Sequence, residues 1–267
     1  MKNFYKKIDF SFFSSIKIGK TFEVLIINEL DASSKLDKYK DFYILGKASN
    51  LLISDNPPKL AMLGSEFSYI KQENNLLFVG ASTGASKLAY YAKKNNIANL
   101  EFIKNLPGTL GGLVKMNAGL KEYEIFSYLE GIKTAKGYVK KENLKYSYRK
   151  TNIKDIIYEV VFKLDSNLGY SQEKENMFKK MRKNQPKVPS AGSCFKNPKN
   201  GFAGEILDRL GLKGFKVGDM SFSEVHANFL VNNGKGTFAQ ALTLINLAKQ
   251  KAKEELGIDL ELEIIIL

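Results

Sequence analysis

The segment "VPSAGSCFKNP", residues 188–198, combines small residues with two prolines and the only cysteine of the chain, Cys194. Proline fixes the φ angle and removes a backbone donor, whereas glycine permits backbone angles that other residues rarely adopt. With Pro186 included, three of the six prolines fall in this part of the sequence. The composition predicts either a rigid surface loop or a backbone that is shaped to present Ser193.

The length and composition indicate a folded protein of two or three lobes. The chain has 267 residues, 44% of them hydrophobic, which is long for one domain of about 100–200 residues. No stretch approaches the roughly 20 consecutive apolar residues of a membrane helix, and the N-terminus lacks the apolar core of a signal peptide. A single cysteine excludes an internal disulfide, so we expect a cytoplasmic enzyme.

The charge of the chain is strongly positive, with 41 lysines and arginines against 28 acidic residues and a formal net charge of +13. Such an excess is typical of proteins that bind nucleic acids or phosphorylated small molecules. The lysines are spread along the chain, however, with one dense cluster at 174–187, so a lysine-rich composition is the simpler explanation. Only three basic residues are arginine, at positions 149, 182 and 209, and each could serve a site that needs a planar cation or a structural ion pair.

Hydrophobic periodicity predicts helices and strands in two successive regions. Strands are predicted at 20–29, 41–55, 59–83, in hairpins up to about residue 166, at 227–233 and at 258–267. Helices are predicted at 84–97, 171–185, 202–212 and 237–257, with Ser171 as an N-cap and Gly257 as a C-cap. The pattern indicates an α+β region from residue 1 to about 165 and an α/β region from about 186.

Two loops rich in small residues are candidates for nucleotide binding. The segment 105–120 has four glycines, but it is neither a Rossmann fingerprint nor a P-loop. Its closely spaced glycines and Thr109 could present backbone N–H groups to a pyrophosphate. The segment 46–52, with Ser49 and Asn50, is a second loop of this kind. Each alone is typical of an ordinary turn, and two in one region make a dinucleotide more plausible.

Two charged positions allow both a functional and a structural interpretation. Arg149 is either a strand residue that reaches out to water or a cation that stabilises developing negative charge. Glu261 and Glu263 fall on one face of the predicted final strand, which could simply be solvated.

The single histidine and the single cysteine exclude several kinds of site. His226 alone cannot form an ordinary zinc site or a Ser-His-Asp triad with a spare base, and a structural role is expected. Cys194 could be a nucleophile, but a buried packing residue is the simpler interpretation.

Seven segments occur in the order in which one enzyme family has them, from about residue 14 to the C-terminus. They are "GKASNLLISD", "LPGTLGGLVKMNAG", "YSYRK", "QPKVPSAGSCFKNP", "AGEILDRLGLKG", "HANFLVN" and "GIDLELEI". The chain thereby resembles the UDP-N-acetylenolpyruvoylglucosamine reductase family, in the shorter branch that lacks a tyrosine-bearing loop over the substrate.

The resemblance implies an α+β fold with a two-lobed FAD-binding domain of the vanillyl-alcohol-oxidase type and a C-terminal α/β substrate-binding domain. The first domain would span 1–165, with lobes at about 1–56 and 57–165 and with the final strand, 259–267, returning to it. The substrate domain would span 186–258. The implied reaction uses NADPH and non-covalent FAD to reduce the enolpyruvyl group of UDP-N-acetylglucosamine enolpyruvate to UDP-N-acetylmuramate, a peptidoglycan precursor. A cytoplasmic monomer is expected, with no nucleic-acid, membrane or metal partner.

The resemblance also implies the roles of individual residues. Arg149 would stabilise negative charge, Ser193 would donate the proton and Glu263 would orient and polarise the enol acid. Substrate contacts are expected from Tyr148, Lys196 and Asn197. Flavin contacts are expected from Gly46, Ala48, Ser49, Asn50, Leu51, Pro107, Gly108, Thr109, Gly111, Gly112, Asn117, Ala118 and Gly119.

Three positions depart from the family pattern, and two other functions remain open. Lys20, Ala48 and Ser82 stand where the family usually has glycine, and Ala48 and Ser82 would fit if φ is negative there. One alternative is another flavin oxidoreductase on the same fold. Covalent flavin is not expected, since the only histidine and the only cysteine lie outside the flavin loops. The other alternative is a basic nucleic-acid-binding protein without flavin.

Overall fold

The computed structural model describes residues 2–29, 39–199 and 201–267. The helices, α1 to α6, are Phe10–Phe13, Ala85–Lys94, Leu110–Lys115, Gln172–Met181, Ala203–Arg209 and Phe238–Leu256. The strands, β1 to β19, are Phe4–Asp9, Thr21–Ile27, Phe42–Leu45, Leu51–Leu52, Lys59–Leu63, Ile70–Glu73, Leu76–Gly80, Gly119–Leu120, Tyr123–Glu124, Leu129–Thr134, Gly137–Lys140, Tyr146–Ser147, Lys150–Thr151, Glu159–Lys163, Ser190–Ser193, Lys216–Val217, Met220–Phe222, Phe229–Asn232 and Ile265–Ile266.

The chain divides into two compact units whose bounds differ from the expected domains. The first unit comprises Met1–Lys6, Glu23–Lys47 and Lys59–Lys183, and the second comprises Lys7–Phe22, Ala48–Pro58 and Asn184–Leu267. The second unit therefore takes in two N-terminal segments that the sequence placed in the first domain. The assignment of a flavin domain and a substrate domain stays a prediction.

The first unit is built around an antiparallel sheet with the strand order β11-β10-β14-β7-β6. Alternation within β7 buries Leu77 and Val79, and these side chains join the largest hydrophobic cluster. Helix α2 adds its apolar stripe to that cluster through Ala85, Leu88 and Ala92, at the helical spacing seen in the sequence. A smaller sheet contains β2, β5 and β3 as parallel neighbours.

The second unit is built around an antiparallel sheet with the order β15-β18-β17-β16. All four residues of the inner strand β18 are buried. The buried residues of helix α6 pack into one hydrophobic cluster, which also contains Leu230 of β18. The ends of α6 agree with the predicted helix at 237–257. Thr237 and Gln240 form a capping box at the start, and Gly257 ends the helix with a φ of +68°.

The predicted final strand is much shorter in the structure. Only Ile265–Ile266 forms a strand, and it pairs in parallel with Leu51–Leu52 of the same unit. The chain end thus returns to a segment that the sequence placed in the first lobe. Leu262 contributes one further isolated bridge, to Phe195. Among the described residues, no helix combines the length and the apolar character that crossing a membrane requires.

Candidate active site

Arg149 lies in the turn of a hairpin. Strands β12 and β13 pair antiparallel and leave Tyr148 and Arg149 as the two turn residues. The φ of Arg149 is +54°, and its guanidinium lies 4.8 Å from the centre of the Tyr148 ring. The Arg149 side chain is only 10% exposed. The interpretation of Arg149 as a strand residue that reaches out to water is therefore wrong.

Backbone and side-chain oxygens surround the Arg149 guanidinium. Its Nη2 donates to the carbonyl of Gly119 at 2.8 Å, and its Nη1 donates to the carbonyl of Asn117 at 3.3 Å. The same Nη1 forms an ion pair with Oε1 of Glu124 at 3.2 Å. The cation is consequently fixed in one place, as a group that stabilises developing charge should be.

The glycine-rich segment 105–119 is anchored by its own backbone. The N–H of Leu110 donates to the carbonyl of Thr83 at 2.9 Å, and the N–H of Gly111 donates to the carbonyl of Ala81 at 2.8 Å. These two amides are thus committed to the fold and cannot also bind a pyrophosphate. For the amides of Thr109 and Gly112, in contrast, no acceptor is found among the described residues, so these remain candidate donors.

The two candidate flavin loops touch within the first unit. A Cβ on Gly46 would lie 2.6 Å from Oγ1 of Thr109, so glycine is needed there for close approach. A Cβ on Gly112 would meet only that same Oγ1, at 3.7 Å. Gly108, after Pro107, has a φ of +123°. Ala118 and Asn117 are buried at the end of this segment. Gly46 and Thr109, one from each loop, therefore lie side by side within the first unit.

The second part of the 46–52 loop belongs to the other unit and contacts the chain end. Asn50 donates from Nδ2 to the carbonyl of Glu263 at 2.9 Å, and its own carbonyl accepts from the N–H of Ile265 at 3.0 Å. Between Ser49 and Gly46, Ala48 has a φ of +47°. The condition under which alanine would fit, a negative φ, is therefore not met at Ala48, and the left-handed conformation explains why glycine would be the usual residue there.

At Ser82, unlike Ala48, the backbone meets the condition under which the residue would fit. Ser82 is not among the residues with positive φ, and its hydroxyl donates to the carbonyl of Gly64 at 2.8 Å. Serine is thus compatible with the backbone at this position.

Ser193 ends the edge strand β15 rather than lying in a free loop. Ser190 pairs with Val231 and Ser193 pairs with Phe229, so the register shifts between them. Gly192 has a φ of +82° and open space around its Cβ position, which is typical of a bulge. Of the two alternatives for this segment, the rigid surface loop does not hold at Ser190–Ser193, where the backbone is a bulged strand. That this backbone presents Ser193 to a substrate stays a prediction.

Cys194 joins the Ser193 strand to the Glu263 segment. The Cys194 carbonyl accepts from the N–H of Glu263 at 2.9 Å, and the Cys194 N–H donates to the carbonyl of Asn228 at 2.6 Å. The thiol is fully buried, and burial raises its pKa. A buried thiol of this kind is inert, so Cys194 is a packing residue.

The expected substrate residues Lys196 and Asn197 come shortly after Cys194 in the chain. The Lys196 side chain is 15% exposed, and its Nζ pairs with Oε1 of the exposed Glu261 at 2.5 Å. Asn197 is exposed, and its Oδ1 accepts from the N–H of Ala203 at 3.0 Å, at the start of helix α5.

Glu261 and Glu263 differ in environment, since Glu261 is exposed whereas Glu263 is half-buried. The two glutamates are therefore not equivalent members of one solvated face.

His226 has the structural role that the sequence predicted. Its Nδ1 accepts from the N–H of Asn228 at 3.3 Å, and its ring packs edge-on against Phe229, with centroids 5.1 Å apart. Burial lowers its pKa, with a smaller contribution from Lys213 in the same direction. Within the described residues, no group of three His, Cys, Asp or Glu side chains could hold a metal ion.

Two polar residues near these sites were not predicted from the sequence. Glu124 faces Arg149, and Asn228 binds the backbone on both sides of the Cys194–Phe195 peptide. The only signal available was the buried context of each: Glu124 precedes the apolar pair Ile125 and Phe126, and Asn228 precedes a buried strand.

Comparisons with known proteins give the family. Residues 184–267 match the family model "UDP-N-acetylenolpyruvoylglucosamine reductase, C-terminal domain". A protein of Helicobacter hepaticus named UDP-N-acetylenolpyruvoylglucosamine reductase is 46% identical over 97% of this chain and 98% of its own length. A protein of that name from Campylobacter jejuni is 42% identical over 97% of this chain. The crystal structure of the reductase (MurB) from Thermus caldophilus is similar, with a TM-score of 0.84, 29% identity and 99% coverage of both chains. The α+β chain belongs to the UDP-N-acetylenolpyruvoylglucosamine reductase family.

Proposed function

We propose that this protein catalyses the NADPH-dependent, FAD-mediated reduction of UDP-N-acetylglucosamine enolpyruvate to UDP-N-acetylmuramate, a step of peptidoglycan precursor synthesis. Family membership supports the reaction. The observation that carries it in the structure is the backbone bond between the Cys194 carbonyl and the Glu263 N–H, at 2.9 Å. This bond holds the segments of Ser193 and Glu263 side by side within one unit.

The flavin loops fit a bound FAD. Gly46 and Thr109 are in close approach, and a Cβ on Gly112 would make only an ordinary contact with Oγ1 of Thr109, at 3.7 Å. The amides of Thr109 and Gly112 have the donor chemistry that a pyrophosphate requires. From the family resemblance we propose an FAD-binding domain of the vanillyl-alcohol-oxidase type, with flavin contacts from these loops and from Asn117 to Gly119. The contacts expected from Ala48 to Leu51 stay predictions of the resemblance. When bound, FAD would carry a hydride from NADPH to the enolpyruvyl methylene carbon.

The protein side chains would handle the charge and the proton. Hydride addition leaves negative charge delocalised into the substrate carboxylate, and the fixed guanidinium of Arg149 would stabilise that charge. The Ser193 hydroxyl would donate a proton to the neighbouring carbon, since a positioned hydroxyl can act as an acid towards a carbanion-like centre. Glu263 would orient and polarise the enol acid. These three roles come from the family resemblance.

We propose that Tyr148, Lys196 and Asn197 contact the substrate. Tyr148 is 41% exposed beside Arg149, so its ring could contact the substrate. Lys196 and Asn197 lie just beyond the strand that ends at Ser193, and they would offer an ammonium and an amide to the diphosphate or the sugar. The Lys196 ammonium is already paired with Glu261, so that pair would have to open for a diphosphate contact. The monomeric state and the cytoplasmic location stay predictions of the resemblance.

An alternative oxidoreductase on the same fold would share the flavin and differ in substrate. Its covalent variants are disfavoured by the buried thiol of Cys194 and by the structural role of His226. Acid precipitation of the holoprotein should therefore leave free FAD in the supernatant.

Stopped-flow absorbance under nitrogen tests the function. NADPH should bleach the flavin of the purified holoenzyme, and UDP-N-acetylglucosamine enolpyruvate should then restore the oxidised spectrum. A flavin that bleaches but is not reoxidised by this sugar would point to the alternative substrate. A protein that cannot be reconstituted with FAD would contradict the proposal and favour the nucleic-acid alternative, which salt-sensitive binding to DNA or RNA would then test.

A further inference from the structure

The carboxylate of Glu124 faces two donors from opposite sides. Its Oε1 accepts from Nη1 of Arg149 at 3.2 Å, and its Oε2 accepts from Nδ2 of Asn117 at 2.7 Å. The Glu124 side chain is 21% exposed and that of Arg149 is 10% exposed. In this partly buried setting, charge-assisted hydrogen bonds are stronger and more directional than at the surface.

The hairpin of β8 and β9 sets the position of Glu124. In this hairpin Gly119 pairs with Glu124, and Leu120 pairs with Tyr123. A Cβ on Gly119 would lie 2.2 Å from the carbonyl oxygen of Tyr123, so only glycine allows the strands to approach this closely. The same Gly119 offers its carbonyl to Nη2 of Arg149 at 2.8 Å. The hairpin thus brings two acceptors to the guanidinium.

Asn117 is locked in one orientation. Its Nδ2 also donates to the carbonyl of Ser147 at 3.1 Å, and its Oδ1 accepts from the N–H of Phe126 at 3.3 Å. Asn117 is fully buried with a φ of +47°. The amide cannot turn over without breaking these bonds, so Nδ2 must face Glu124.

We propose that Glu124 is a positioning residue for Arg149, which holds the guanidinium against the end of the flavin loop at Asn117 and Gly119. The inference rests on the proposed role of Arg149 in the reduction of the enolpyruvyl group. A carboxylate is needed because two donors face it: a glutamine would offer one oxygen and one NH₂, and would set a donor against either Arg149 or Asn117. Glutamine keeps the size of the side chain, so the substitution isolates this effect.

The test compares Glu124→Gln with Glu122→Gln, which makes the same change of charge at an exposed position two residues away. Anaerobic stopped-flow on each holoenzyme measures flavin reduction by NADPH and then flavin reoxidation by saturating UDP-N-acetylglucosamine enolpyruvate. For Glu124→Gln we expect reoxidation to slow by roughly 100-fold, as for a misplaced catalytic group. Flavin content and the rate of reduction by NADPH should stay within about twofold of wild type. A loss confined to the reoxidation step would then mean that the variant stabilises the transition state of that step less well.

A second variant separates positioning from folding. Glu124→Asp retains two acceptor oxygens on a shorter side chain, so it should keep FAD and lose less of the reoxidation rate than Glu124→Gln. Loss of FAD from both variants, equal slowing of both half-reactions, or reoxidation as fast as in Glu122→Gln would each overturn the inference. If the sugar does not reoxidise even the wild-type flavin, the proposed function itself fails and the inference falls with it.

Discussion

The side-chain amide of Asn228 makes both backbone hydrogen bonds of Phe195. The Phe195 N–H donates to Oδ1 at 2.9 Å, and Nδ2 donates to the Phe195 carbonyl at 2.7 Å. Both residues are buried, with Asn228 3% exposed and Phe195 0% exposed. The backbone carbonyl of Asn228 also accepts from the N–H of Cys194. One residue thus fixes the three consecutive peptide groups that follow Ser193, from the Ser193–Cys194 bond to the Phe195–Lys196 bond.

Replacing Asn228 with alanine should therefore destabilise the protein strongly. Two buried backbone groups of Phe195 would lose their partners, at about 1–3 kcal/mol each, so the free energy of unfolding should fall by about 2–6 kcal/mol. Urea unfolding followed by circular dichroism measures this change. Asn143→Ala, at an exposed position, is the control and should alter stability by less than about 0.5 kcal/mol. Equal stability of the two variants would contradict a stabilising role for the hydrogen bonds between Asn228 and Phe195.

Ser193→Ala should separate the two half-reactions. Flavin reduction by NADPH should remain near the wild-type rate, while reoxidation by the enolpyruvyl sugar should slow by at least about 100-fold, the usual contribution of a general acid. Ser190→Ala removes a half-buried hydroxyl from the same strand and should leave both rates nearly unchanged. Equal losses in both half-reactions of Ser193→Ala would remove Ser193 from the role of proton donor.

Glu175 should make stability depend on pH in the acid range. Its carboxylate accepts hydrogen bonds from Lys104, from Lys93 at 2.7 Å and from Tyr170 at 3.0 Å. Lys104 and Lys93 lower its pKa from 4.5 to about 2. Because the folded-state pKa is depressed, the stabilisation is present above pH 4.5 and is lost as the pH falls towards 2.

Glu175→Gln tests this ion cluster. The free energy of unfolding at pH 7 should fall by about 1–3 kcal/mol, since both lysines are half-exposed and solvent screens part of the attraction. The variant should also lose stability less steeply than wild type between pH 4.5 and pH 2. Glu173→Gln, exposed on the same helix, is the control. A wild-type slope in Glu175→Gln would show that other groups govern acid unfolding.

Lys121→Gly should stabilise the hairpin of β8 and β9. Lys121 and Glu122 form its two-residue turn, and Lys121 alone of the two has a positive φ, +52°. Glycine is the preferred first residue of such a turn, so relief of strain should raise the free energy of unfolding by about 1 kcal/mol. Glu122→Gly in the same turn should instead lower it by about 0.5–1 kcal/mol, through the entropy of the unfolded chain. Calorimetric unfolding of both variants checks the opposite signs.

The sequence by itself determined the local structure and the family. Helix α2 buries the positions that its spacing predicted, Ser171 caps α4 through the N–H of Lys174 at 3.1 Å, and Gly257 ends α6. These features depend on residues within one or two turns of each other, where the backbone period fixes which side chains meet. The seven family segments likewise indicate the reductase family from the sequence alone.

Only the tertiary structure decided the surroundings of the candidate catalytic residues. The acceptors around Arg149 lie 25 to 32 positions earlier in the chain, and Asn50 meets Glu263 across 213 positions. The bulge at Gly192 and the left-handed Ala48 also depend on the strands and loops that pack beside them. Contacts of this range follow from how strands pair and loops close, which the local period of a sequence does not encode.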